Sequence, residues 1–81
     1  MNIKEIIDLI NSGRELEFVY DDKKYSITYG NLDGKEVISF CEFYRESTEV
    51  TTVDELLKIT RYGVTVEEML LSLSDENLWI F

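Results

Sequence analysis

The 81-residue chain holds 17 Asp or Glu against 8 Lys or Arg, a formal net charge of −9, with 44% apolar residues and no His or Pro. Without His there is no Ser–His or Cys–His nucleophile pair. The one cysteine, Cys41, can form neither an internal disulfide nor a usual Cys/His zinc set.

The length suits a single domain spanning residues 1–81. Five Tyr, four Phe and one Trp supply enough large apolar surface for a small core, which a disordered acidic tail would lack. Glu5 and Asp8 interrupt any signal-like stretch near the start, and the longest apolar runs are far too short to span a bilayer. The expectation is therefore a cytoplasmic protein with no membrane association. Its charge disfavours direct contact with nucleic-acid phosphates and favours a partner with a basic or neutral surface.

In chain order, Ile3, Ile6, Ile7 and Ile10 recur at helical spacing, predicting a helix over 2–11. Asn2 can cap it, with Glu5 three residues on, and Gly13 can stop it. The period then changes to two. Leu16, Phe18 and Tyr20 alternate with Glu15, Glu17 and Val19, and Tyr25, Ile27 and Tyr29 alternate with Ser26 and Thr28. This predicts two half-buried strands joined at Asp21-Asp22-Lys23-Lys24. Asp33-Gly34 marks a second hairpin turn, leading to a third strand from Glu36 to about Tyr44. That strand is apolar on both faces, as expected of the most covered strand of a sheet.

Residues 45–51 are polar and predict a loop. Thr52-Val53-Asp54-Glu55 and Thr65-Val66-Glu67-Glu68 are two capping boxes, each opening a short helix, with Gly63 ending the first. The chain closes on Leu78-Trp79-Ile80-Phe81. Four such side chains either pack beneath the helices, add a short strand to a sheet edge, or form an exposed docking patch. The expected class is α+β: one helix, a three-stranded antiparallel sheet and two short helices packed on one face, with a possible short C-terminal strand.

No constellation points to catalysis. Asp54-Glu55 and Glu67-Glu68 lie in helix first turns, where caps and dipoles favour negative charge. Asp21-Asp22 falls in a turn, a common place for Asp. No calcium loop or phosphate-binding glycine loop is present, so no metal or cofactor is expected. Cys41 reads as a small buried hydrophobe rather than a nucleophile. The Tyr and Phe residues resemble a single-strand-binding platform, but without a cationic groove they read as core and sheet-face packing.

What local structure leaves unexplained is Glu42, Glu46, Glu49, Asp75 and Glu76. They are either a solvated surface or an acidic face made for an Arg- or Lys-lined cleft. The second half is the more acidic: residues 1–45 carry nine acids and six bases, residues 46–81 eight acids and two bases.

The opening Met1-Asn2-Ile3, followed by Glu5, Ile6, Ile7 and Ile10, together with the expected element order, resembles the type II-A anti-CRISPR proteins of phages and prophages of Firmicutes. The runs Val53-Asp54-Glu55-Leu56-Leu57 and Gly63-Val64-Thr65-Val66-Glu67-Glu68 are similar to short uncharacterised proteins of phages and mobile elements. The first resemblance implies inhibition of Cas9 where it would bind target DNA. Cas9 reads its PAM with arginines and holds nucleic acid in a positive channel, which carboxylates could occupy.

The sequence thus leads to the expectation of a non-enzymatic acidic inhibitor, phage or mobile-element encoded and acting in the bacterial host cell. Its partner-binding residues would be Glu42, Glu46, Glu49, Asp75 and Glu76, its partner a basic protein surface, and its state a monomer or homodimer. Two alternatives stay open: an interaction protein assembling through its apolar C-terminus or sheet edge, and an immunity or antitoxin protein against a basic nuclease.

Overall fold

The computed structural model describes residues 2–81; Met1 of the opening tripeptide lies outside the described residues. Helix α1 (Ile3–Asn11) starts where the Asn2 side chain accepts the Glu5 N–H at 2.9 Å, and it stops at Gly13, whose φ of 75° suits glycine. Then follow β1 (Leu16–Tyr20), β2 (Lys23–Leu32), β3 (Lys35–Glu42) and β4 (Ser47–Val50). Helix α2 (Val53–Lys58) leads to the two-residue strands β5 (Thr60–Arg61) and β6 (Val64–Thr65), then helix α3 (Val66–Leu71). A 3₁₀ turn at Asp75–Asn77 precedes β7 (Leu78–Ile80).

The class is α+β, as expected. The main sheet, however, has five strands rather than three, all antiparallel, in the order β4-β3-β2-β1-β7. The expected loop at 45–51 contains β4, whose Ser47 to Val50 pair with Cys41 to Ile38. Its polar composition concealed it: an edge strand with one solvated face carries little hydrophobic pattern. The C-terminal segment takes the sheet-edge option, with Leu16 opposite Ile80 and Phe18 opposite Leu78. The third strand ends at Glu42, so Phe43 and Tyr44 belong to a turn.

Gly63 does not end α2. The helix stops at Lys58 because Ile59 turns to extended backbone, and Tyr62-Gly63 forms the tip of the β5–β6 hairpin. Three two-residue loops have both central residues at positive φ, the arrangement of a type I′ turn: Asp21-Asp22, Asp33-Gly34 and Tyr62-Gly63. That turn matches the right-handed twist of paired strands, and Asp tolerates the left-handed region better than most side chains.

One face of the sheet is covered and the other is open. On the covered face Leu16, Phe18, Tyr25, Ile27 and Phe40 meet Ile6 and Ile10 of α1, Leu56 and Leu57 of α2, and Val66, Met69 and Leu70 of α3. Phe18, Tyr25 and Phe40 stack across adjacent strands, with centroids 5.3 Å (Phe18–Tyr25) and 5.4 Å (Tyr25–Phe40) apart. Each contributes about 1.5–3 kcal/mol by burial. No polar or charged side chain is buried among the described residues. On the open face run Glu17, Lys24, Ser26, Thr28, Ser39 and Cys41, none of them buried. Cys41 is therefore half-exposed, contrary to the expected buried site, and β3 is covered on one face only. No helix among the described residues is long and apolar enough to cross a membrane.

Candidate functional site: an acidic rim with exposed tyrosines

The sheet register decides which acids come together. Leu78, Phe18, Tyr25 and Glu42 form one row across β7, β1, β2 and β3. The 3₁₀ turn at Asp75–Asn77, the Asp21-Asp22 loop and the turn after Glu42 all lie beyond that row, at the same end of the sheet. Asp75, Glu76, Asp21, Asp22, Glu42 and Glu46 thus share one rim. From β3 to β7 it spans three strand spacings, about 14 Å.

Four of the five acids singled out from the sequence, Glu42, Glu46, Asp75 and Glu76, lie on this rim. Glu49 does not. It sits on β4 opposite Ser39, on the open face, and accepts the Ser39 hydroxyl at 2.8 Å. Hydrogen bonds from the Ser47 and then the Ser39 side chains hold its carboxyl below the ordinary value. Glu42 is on the rim but half-buried and engaged, accepting the Tyr62 hydroxyl at 2.8 Å.

Of the cations at this end, Lys23, Lys24 and Arg61 are engaged by neighbours, while Arg45, between Tyr44 and Glu46, is exposed with no side-chain hydrogen bond or ion pair among the described residues. Lys23 Nζ lies 3.7 Å from Asp21 and 4.6 Å from the centroid of the Tyr62 ring. Lys24 Nζ is 3.6 Å from Glu17 and faces the rings of Phe43 at 4.8 Å and Trp79 at 5.7 Å. Arg61 donates to the Thr48 hydroxyl and the Thr60 carbonyl and lies over Phe40. Asp22, Glu46, Asp75 and Glu76 have no side-chain hydrogen bond or ion pair among the described residues. Four free carboxylates against the Arg45 guanidinium still leave a net negative field along this edge.

Two tyrosines stand in that field. Tyr44 follows β3 at φ 67° with its ring wholly exposed, at 102% of the reference area. Tyr62 holds φ 54° at the β5–β6 tip and is also exposed, though its hydroxyl and ring are engaged by Glu42 and Lys23. A non-glycine residue in the left-handed region costs about 1–2 kcal/mol. Tyr44 carries that cost while presenting a full aromatic ring to water, and its nearest ring, Phe43, meets it edge-on at 6.3 Å.

The sequence reads both tyrosines as core or sheet-face packing, with Tyr62-Gly63-Val64 as the join between the two short helices. The Tyr62-Gly63 pair was a legible turn signal. Tyr44 before Arg45-Glu46 was a weaker one, since nothing local fixes where β3 ends.

A concavity of about 750 Å³, open to solvent, lies where the β2–β3 hairpin projects beyond its flanking strands. Ile10, Tyr29, Ile38, Val53, Asn31 and Glu36 line it, with Glu36 the one carboxylate there. Among the described residues no group of three or more Cys, Asp or Glu could hold a metal ion.

Chemically, the rim offers carboxylates for charge-assisted hydrogen bonds to guanidinium or ammonium groups, and a flat ring on which a guanidinium can stack. Compared with protein-family models, curated proteins and solved structures, the chain matches none of them.

Proposed function

We propose that this chain is a non-catalytic binding protein whose acidic rim docks into the Arg- or Lys-lined cleft of a protein that handles nucleic acid, and inhibits it by occupying the cleft. The observation that carries this reading is Tyr44: a solvent-exposed ring held in a strained turn beside Glu46, a carboxylate left free. Strain retained with no packing gain in the monomer is what a binding contact would account for, and Tyr is a frequent interface anchor. The resemblance to type II-A anti-CRISPR proteins makes Cas9 the first partner to test. The positive channel of such an enzyme complements the rim's charge.

The test compares three tagged baits in lysate of the source cells, and against a type II-A Cas9 loaded with guide RNA. The baits are the native chain, a rim variant with Glu46→Lys, Asp75→Lys and Glu76→Lys, and a control with Glu49→Lys. The native chain is expected to retain a nucleic-acid enzyme at about 50 mM salt and release it at about 500 mM, as screening shortens the reach of the field. The rim variant should lose affinity roughly tenfold or more, and the control should match the native chain. Equal capture by the rim variant and the native chain would remove the rim from the model. Retention of the Cas9 complex would name the partner.

A further inference from the structure

The two edges of the five-stranded sheet are built differently: β4 is guarded by polar side chains, whereas β7 is apolar and guarded only by its three-residue length and by Arg14, which donates to the Phe81 carbonyl. An open edge exposes unpaired backbone groups that can pair with another strand, and proteins commonly blunt it with charge, proline or a bulge. On β4 the edge carries Ser47, Thr48 and Glu49, and its inward residues are half-buried. On β7 it carries Leu78, Trp79 and Ile80, followed by Phe81, with no charge and no proline. Trp79 is 44% exposed, Ile80 39% and Phe81 59%. Pairing with β1 therefore does not bury this segment.

We infer that β7 is the contact edge of a symmetric homodimer, in which two copies join their sheets antiparallel about a two-fold axis at Trp79. The segment is self-complementary under that operation. With Trp79 opposite Trp79 of the second copy, Leu78 falls opposite the second copy's Ile80 and the reverse. Leu78 and Ile80 lie on the covered face, in register with Phe18 and Leu16, so the pairing extends the apolar layer. Trp79 lies on the open face in register with Glu17, its ring facing Lys24, so the two indoles flank the axis on that face. A two-fold contact of this kind uses the same patch twice and closes. The guarded β4 edge leaves growth beyond two copies without a matching strand.

The size of the contact sets its strength. Large side chains bury roughly 150–250 Å² each, so the exposed parts of Trp79, Ile80 and Phe81 offer roughly 200–350 Å² per copy. With the strand backbones added, the interface stays below the ~1,200–2,000 Å² typical of stable complexes. The dimer is thus reversible and concentration-dependent. Two chains of charge −9 also repel, so added salt strengthens this association by screening. The rim contact responds to salt in the opposite sense, which separates the two in one titration.

The experiment is sedimentation of the native chain from about 5 μM to about 500 μM, a range bracketing weak dimer affinities, at low and high salt. In parallel, the emission of Trp79, the one Trp in the chain, is recorded. The expected result is a monomer–dimer equilibrium several-fold tighter at high salt, with the indole emission moving to shorter wavelength as dimer forms. Ile80→Lys keeps the fluorophore and places a charge on the edge; it should sediment as a folded monomer throughout. Trp79→Lys is the second variant, and hydrogen exchange of the native chain is a readout free of any substitution, with β7 amides gaining protection as concentration rises. A native chain that stays monomeric at every concentration and salt overturns the inference. So does a dimer that persists in both folded variants, or one that forms without added protection in β7.

Discussion

Tyr44 separates stability from binding, and a pair of substitutions measures each part. Its φ of 67° is ordinary for glycine and costs about 1–2 kcal/mol for any other L residue. Its ring is wholly exposed, so removing it forfeits little packing beyond the edge contact with Phe43 at 6.3 Å. Tyr44→Ala keeps the backbone cost and removes the ring. Tyr44→Gly removes both. Against the relief stands the greater freedom of glycine in the unfolded chain, about 0.4–1 kcal/mol. The expected net effect is that Tyr44→Gly stabilises the fold by about 0.5–1 kcal/mol. For a domain of this size that raises the melting temperature by about 2–8 °C. Tyr44→Ala should stay close to the native value. Both variants should lose affinity for the partner equally, because both lack the ring. Calorimetry or circular dichroism melting reads the first part and the capture assay the second. A Tyr44→Gly variant that melts several degrees below the native chain would refute the reasoning, since the ring or the backbone would then be stabilising the monomer.

Other perturbations test the fold and its pH response. Phe40→Ala removes the fully buried β3 end of the Phe18–Tyr25–Phe40 stack and should cost about 3–5 kcal/mol, a large share of the ~4–12 kcal/mol available to a chain this short; urea denaturation would show it. Thr52→Ala and Thr65→Ala each remove a hydroxyl that accepts a helix N–H at 3.1 Å, from Glu55 and Glu68 respectively. Each should lower stability by about 1 kcal/mol in the same assay. The Glu55 carboxyl is held below the ordinary 4.5 by donors from Thr51, its side chain first and then its amide, with the Thr52 hydroxyl adding to them. Glu49 is lowered likewise by Ser47 and Ser39. A depressed folded-state value means both contribute stability above the unfolded value, and that contribution is lost as pH falls through the folded one. Melting temperature should therefore be level in these two terms from neutrality down to about pH 4.5 and fall below it. In Glu49→Gln combined with Glu55→Gln that fall should be shallower; an identical slope would show that neither carboxylate couples to folding.

The parts of this protein readable from sequence are those written in short-range pattern. Four isoleucines at helical spacing and an Asn cap specify α1, and two Thr-x-x-Glu boxes open α2 and α3. Period-two alternation and an Asp-Gly turn specify β1 through most of β3, because one buried face imposes alternation on each strand. Together these determine the α+β class, and the excess of acids determines that the surface is negative.

The tertiary structure decided what depends on distant neighbours. β4 has no apolar signal of its own and exists because β3 offers it an edge; the Leu78–Ile80 strand could have packed beneath the helices and instead pairs with β1. The acids show the same division. Sequence could name Glu42, Glu46, Glu49, Asp75 and Glu76 as unexplained by local structure, since caps and turns act over three or four residues. Which of them share a surface follows from strand register between distant segments, β3 with β2 and β7 with β1. Register brings Glu42, Glu46, Asp75 and Glu76 to one rim and turns Glu49 onto another face, because side-chain direction in a sheet is set by pairing and not by the residue itself; Tyr44 stands in water because β3 ends at Glu42, before it.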